Sequence, residues 1–303
     1  MSIATTPVFS GGVGRSGTTI VGRILRQSPD LFAGSPNEIK FITETYGLID
    51  LVFGMRDFMP TQMTKTGKIA VSNPLNVSQK FRFLQFRKRI LSHWWRRTNR
   101  LGVESGLHRS MKRTTITELL DKLEQDLKRD AVEAGRNFVF GFIQNHKKFA
   151  GQKFWMDTTP PNMMYADWIY RLLPEASFIE MRRHPLDNLS SVLKEPWGPN
   201  DFDVSLPWIR DRLILATNAK KNIPASQHLT LWLEDLVLLK REESYRSLIN
   251  IVGIEDHRAM QDYFKNEVSA ERAHIGRWKK DFKDPDSAKL KFERIVGQIE
   301  MEQ

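Results

Sequence analysis

Residues 11–19 read Gly-Gly-Val-Gly-Arg-Ser-Gly-Thr-Thr. Glycines at this density let several backbone N–H groups converge on one point. A helix that starts where such a run ends adds its own unpaired N–H groups. The chemistry served by this arrangement is the binding of a phosphate-like anion. Gly12 and Gly17 have the spacing of a nucleoside-triphosphate loop, G-x-x-x-x-G-K-[ST], but Thr18 stands where the lysine belongs. Arg15 is the only cation in the run. The loop suits one phosphate-like group and is poorly built for the β- and γ-phosphates of ATP or GTP.

A second anion site is written later, in Arg182-Arg183-His184-Pro185-Leu186-Asp187-Asn188-Leu189-Ser190-Ser191. Arg183 closes the apolar run 177–181, and Ser191 follows eight residues on. A guanidinium fork with a hydroxyl suits a second phosphate. Arg182 is the alternative ligand, but the spacing to Ser191 favours Arg183.

These residues need a scaffold that brings loop ends together. Apolar runs predict strands over 7–11, 153–156, 177–181 and 229–233. Helical spacing predicts helices over 18–27, within 34–46 after a turn at Gly34-Ser35-Pro36-Asn37, and over 115–134, 161–173, 186–194, 205–221 and 238–252. Thr115 or Thr117 is the expected cap of the third of these, with Glu118 completing a capping box on Thr115. Residues 137–150 fit either a helix or a strand, 50–78 look irregular, and the last twenty read as a polar helix or a frayed end. Strands alternating with helices predict an α/β fold: a three-layer sandwich with a central parallel sheet and helical insertions. Ligands of such sheets bind at the C-terminal strand edge, where both anion motifs fall.

On these residues the chain resembles the sulfotransferases that use 3′-phosphoadenosine 5′-phosphosulfate (PAPS). Gly14-Arg15-Ser16-Gly17-Thr18-Thr19 is similar to the family's 5′-phosphosulfate loop. Arg183, Pro185, Asp187 and Ser191 match its 3′-phosphate motif, R-x-P-x-D-x-x-x-S. Leu233-Glu234-Asp235-Leu236 resembles a late E-D-L segment, and Gly276-Arg277-Trp278-Lys279 resembles the G-x-W-K segment that closes over the cofactor. The alternative for Trp278 is a plain core residue. The resemblance covers roughly 7–282 and implies one sulfotransferase domain over 1–303, with 34–115 as a variable insertion on the acceptor side. It implies PAPS as co-substrate, no metal, and a carbohydrate, lipid or other small acceptor. PAPS lacks a γ-phosphate and carries a 3′-phosphate, in keeping with a missing lysine and a second pocket.

Sulfuryl transfer to a hydroxyl or amine needs a base for the acceptor proton. The loop region resembles that of the tyrosylprotein and carbohydrate types, and in the tyrosylprotein type a glutamate two residues before a basic residue serves. Glu38, followed by Lys40, is the matching position, with two extra residues at Ser35-Pro36. The plainer reading of Glu38 is an acid in an early helical turn. Cytosolic relatives use a histidine, but His93, His108 and His146 sit in no matching motif. Many members also carry a K-T-P lysine beside the sulfate. Here Thr158 stands at that place, in Asp157-Thr158-Thr159-Pro160. Lys40, Lys153 or Lys279 is available to compensate, or Asp157 to contact the acceptor.

Composition narrows the remaining classes. The 303 residues contain no cysteine, which rules out disulfides, a thiolate nucleophile and cysteine-bound zinc. The first residues lack the basic and apolar regions of a signal peptide, and no stretch reaches membrane-spanning length. A cytoplasmic protein, peripheral to a membrane at most, is the expectation. The net charge of +10 is concentrated: eight of 46 basic residues fall in 80–100 without an acid, leaving 38 against 36 elsewhere. Aromatics interleave this segment. It reads either as a surface for an anionic membrane or acidic ligand, or as a helix with buried aromatics and a solvated basic face. Nucleic acid is an improbable partner. The competing functional classes are a P-loop kinase or hydrolase and a non-catalytic binder acting through 80–100.

Overall fold

Short apolar runs with few polar interruptions become the strands of a parallel sheet. The computed structural model describes residues 5–34, 36–54, 77–98, 102 and 104–300, with side chains to 295. The strands are β1 (Thr6–Gly12), β2 (Leu31–Ala33), β3 (Arg97–Thr98), β4 (Glu104–Ser105), β5 (Phe154–Asp157), β6 (Ser177–Arg182) and β7 (His228–Trp232). The main sheet runs β2-β5-β1-β6-β7, all parallel, while β3 and β4 form a small antiparallel pair. The chain moves to one side of β1 for β2 and β5, then crosses to the other for β6 and β7. That reversal opens a crevice at the C-terminal end of β1.

Side chains alternate across the sheet, as the period of two requires. Phe9, Phe32, Trp155 and Phe178 enter one core, and Val8, Leu31, Met156 and Ile179 enter the other. The aromatic face packs against α2 (Leu48–Phe53), α3 (Gln79–Leu91), α4 (Arg113–Asp126), α5 (Ala131–Gln144) and α6 (Ala166–Leu172), and the aliphatic face against α1 (Thr18–Leu25). After β6 come α7 (Pro185–Val192) and α8 (Phe202–Lys220). After β7 come α9 (Arg241–Val252), α10 (Arg258–Glu267), α11 (Ala270–Ala273), α12 (Trp278–Asp281) and α13 (Pro285–Glu300). Helices α9 and α10 cover the aliphatic face. A third core lies between α7, α8, α12 and α13. Glu180 is buried in the middle of β6, where Arg182, Lys220 and Thr230 satisfy its carboxylate.

Three segments depart from the sequence expectation. Residues 36–47 form bends and turns in place of a helix. The Ile39 and Lys40 amides donate to Asp157 and Thr159, and Lys40 and Tyr46 have φ of 65° and 56°, outside the helical region. The helix expected over 115–134 is two helices. Asp130 caps α5 through the Val132 and Glu133 amides, whereas α4 starts at Arg113 with no side-chain cap. The ambiguous 137–150 is thereby the second half of α5 up to Gln144, followed by a turn. Of the irregular 50–78, residues up to 53 belong to α2, and 55–76 lie outside the described residues.

The basic segment resolves as mixed. Phe83, Phe86, Ile90, Trp94 and Trp95 are buried. Arg82, Arg87, Arg89 and Arg97 are half-buried against protein partners, and Lys80, Lys88 and Arg96 are exposed. Arg100 lies outside the described residues. No helix among the described residues is long and apolar enough to cross a membrane.

Candidate active site

The glycine run turns sharply between β1 and α1. Gly12 has φ 151°, and a Cβ there would lie 2.3 Å from the Met181 carbonyl oxygen of the neighbouring strand. Arg15 holds a left-handed φ of 72°, and Gly17 takes φ 106° at the cap of α1. Strained backbone in a non-glycine residue persists where its surroundings fix it. Here Arg183 donates to the Arg15 carbonyl at 3.3 Å, and Asn188 donates to the Gly14 carbonyl at 2.7 Å. No side chain caps α1, so the N–H groups opening at Thr18 are left for a ligand. The Ser16 hydroxyl is buried with no partner among the described residues.

Arg183 reaches the same loop from the end of β6. Its guanidinium is buried, donating to the Ala273 and His274 carbonyls at 3.0 and 2.8 Å, while Nε has no partner among the described residues. Burial lowers its pKa, opposed by the Asp187 and Glu234 charges. Arg15 Nε donates to the Ser191 hydroxyl at 3.0 Å and lies 3.6 Å from Glu195. The two anion motifs, far apart in sequence, are thus joined by hydrogen bonds in both directions.

The segment at 276–279 contributes unevenly. Arg277 lines the central cavity. The Gly276 and Trp278 amides instead donate to Asp187 at 2.7 and 3.0 Å. Trp278 is buried in the third core and stacks on His184 at 5.5 Å. Lys279 lies beside the Trp278 ring, off the cavity wall. Asp281 anchors the segment by accepting from Ser190, Lys194 and Arg277. Those cationic and hydroxyl donors hold its pKa far below the usual carboxylate range.

Glu38 lines the cavity from the turn segment. Burial raises its pKa, against the Lys40 and Arg97 charges, which lower it. Arg97 also donates to the Glu38 carbonyl at 2.8 Å. Beneath lies Asp157, fully buried and satisfied by the Ile39 amide, Thr159 and Asn162. Burial pushes the Asp157 pKa up to about 6. Asp157 therefore positions the Glu38 turn and does not meet an acceptor. Thr158 donates twice to the Asn37 carbonyl, so it too holds that turn. Of the three lysines that could replace the K-T-P lysine, Lys40 lines the cavity, while Lys153 sits near Asp30 at 3.6 Å. Among the histidines, His93 lines the cavity, and His146 is buried beside Phe32.

The cavity has a volume of about 720 Å³ and takes in Gly14, Arg15, Gly17, Thr18, Thr19, Glu38, Arg183, Ser191 and Arg277. It also takes in His93, which the motifs had set aside, and residues they missed: Arg89 on α3, Arg212 on α8, Arg272 on α11, and Trp197. The basic run 80–100 carried the signal for Arg89. Arg212 was invisible, because a single arginine in a helix announces nothing; the structure lays its guanidinium over the buried Trp208 ring at 3.8 Å.

A sequence model described as the sulfotransferase family matches residues 7–258. Among solved structures, the sulfotransferase domain from the Synechococcus PCC 7002 olefin synthase superposes with a TM-score of 0.51 at 12% identity, over 98% of this chain and 94% of that one. Sulfotransferase STF9 from Mycobacterium avium gives 0.48 at 12% identity, over 97% and 76%. The domain from the curacin biosynthetic pathway gives 0.46 at 11%, over 99% of each. At such identities the first of these speaks for the fold alone. No curated protein sequence matches.

Proposed function

We propose, on the premise that the chain belongs to the sulfotransferase family, that it moves the sulfuryl group of PAPS to a hydroxyl or amine of a carbohydrate, lipid or other small acceptor. Support comes from the fit of the cavity to a doubly anionic nucleotide. Each anion motif contains a buried polar atom without a partner among the described residues, Ser16 Oγ and Arg183 Nε. Both are satisfied by anions placed as the two motifs suggest. The volume is that of a small-molecule site.

In this reading Gly14, Arg15, Ser16, Gly17, Thr18 and Thr19 hold the 5′-phosphosulfate. Arg183 and Ser191 hold the 3′-phosphate, with Arg272 and Arg277 beside them. The segment 276–279 acts through Arg277, while Trp278 and Lys279 fix it from behind. PAPS supplies an activated sulfuryl group with a phosphate as leaving group. Arg15, the N–H groups of the loop and the start of α1 stabilise the charge left on that phosphate. Glu38 accepts the acceptor proton; burial raises its pKa and makes it a stronger base, while the Lys40 and Arg97 charges favour its ionised form. Lys40, on the cavity wall, supplies the charge that Thr158 cannot.

The single observation carrying the proposal is the Arg15–Arg183–Ser191 junction between two anion motifs. Titration calorimetry with 3′,5′-adenosine bisphosphate tests it. Tight binding without magnesium is expected, with Arg183→Ala weakening it by about 1.5–3 kcal/mol. Magnesium-dependent ATP turnover without bisphosphate affinity would return the chain to the kinase class.

A further inference from the structure

We propose that the acceptor carries an anionic group, a carboxylate or a phosphate, and that Arg89 receives it. This rests on the sulfotransferase reading of the cavity and names the class of its second substrate.

The cations around the cavity differ in how they are occupied. In the nucleotide half, Arg15 faces Glu195, Arg183 lies 4.0 Å from Asp187, Arg272 pairs with Glu267, and Arg277 with Asp281. On the acceptor side, Lys40 pairs with Glu44 at 3.4 Å. The other Glu44 oxygen accepts from the Trp94 indole at 2.7 Å. Arg89 lines the cavity with no carboxylate or hydrogen-bond partner among the described residues. Its guanidinium is held 5.7 Å from both the Tyr46 and Trp94 rings. Two aromatic faces fix a cation in place and leave its N–H fork unused. A planar fork without a partner, half-buried on a cavity wall, fits a carboxylate or phosphate oxygen pair. His93 lines the same wall and adds a ring nitrogen.

The cavity also takes in Pro160, Pro161 and Met164. The implied acceptor has an anion for Arg89 and a hydroxyl for Glu38.

The test uses three 4-nitrophenyl glycosides: the glucoside, the glucuronide and the glucoside 6-phosphate. Each is titrated by calorimetry into the protein saturated with 3′,5′-adenosine bisphosphate, and again without nucleotide. An anionic glycoside is expected to bind about 10- to 100-fold tighter than the neutral one. Whichever of the two anions is preferred identifies its source. Arg89→Gln should abolish the difference and leave bisphosphate affinity unchanged. Arg87→Gln, the same charge change on the same helix but away from the cavity, should preserve it. Equal affinities, no binding by any of the three, or discrimination surviving in Arg89→Gln would each overturn the proposal. Should Arg89→Gln fail to fold, the wild-type comparison and its retention in Arg87→Gln still decide. Absence of bisphosphate binding would sink the sulfotransferase reading alone, because the Arg89-dependent difference is also read without nucleotide.

Discussion

Glu38 holds its charge between opposing influences: burial raises its proton affinity, and Lys40 and Arg97 lower it. With Glu38 as the base, the acid limb of kcat/KM lies above its ordinary 4.5 and activity rises with pH through it. Glu38→Gln should remove that limb and lower turnover by about 100- to 10,000-fold while bisphosphate affinity stays the same. A Glu38→Gln enzyme at wild-type rate would take Glu38 out of the mechanism. The neighbouring Asp157 makes a different prediction. Its folded pKa of about 6 exceeds its ordinary 3.8, so the folded state binds the extra proton between those values. Stability from this group is therefore full below about pH 4 and falls as pH rises to 6, by roughly 3 kcal/mol. Urea midpoints across that range should decline in the wild type and lose this slope in Asp157→Asn. Sequence motifs pointed to Glu38. They did not give Asp157 its anchoring role, because that role depends on amides contributed by a distant turn.

At the scale of elements, α7 organises the site. Its Asp187 accepts the Gly276 and Trp278 amides, and its Ser190 binds Asp281. This holds the segment carrying Arg277 against the helix that presents Ser191. Asp187→Ala leaves two amides without an acceptor, at about 1–3 kcal/mol each. Hydrogen exchange should show protection lost around 273–282, and bisphosphate affinity should fall with it. An unchanged exchange pattern would mean that the third core alone holds the segment. Four strands of the main sheet and α7 were legible because buried parallel strands are apolar runs and the R-x-P-x-D-x-x-x-S spacing is rigid, whereas β2, three residues long, and the short β3-β4 pair were not expected. The turns over 36–47 were not, since helical spacing there is overridden by the Asp157 and Thr159 acceptors. The break between α4 and α5 was missed as well: the apolar periodicity runs on past it, and only the Asp130 cap marks it.

Across the whole molecule, two faces of one sheet carry separate cores, and the chain's reversal about β1 sets the cavity at their common edge. Phe9 stacks on Phe178 and meets Trp155 edge-on, each at 5.8 Å, directly behind the glycine loop. Phe9→Ala should cost about 3–5 kcal/mol in chemical denaturation and loosen the loop with it. The concentration of charge in 80–100 was legible in composition. Its division into exposed Lys80, Lys88 and Arg96, structural arginines and one cavity arginine needed the fold, because α3 turns only Phe83, Phe86 and Ile90 fully inward, at helical spacing. The most direct test of the central claim is transfer itself: radiolabelled PAPS incubated with the protein and a cell extract. A labelled product, lost in Glu38→Gln while bisphosphate binding persists, is the predicted result. No labelled product together with no affinity for the bisphosphate would contradict it.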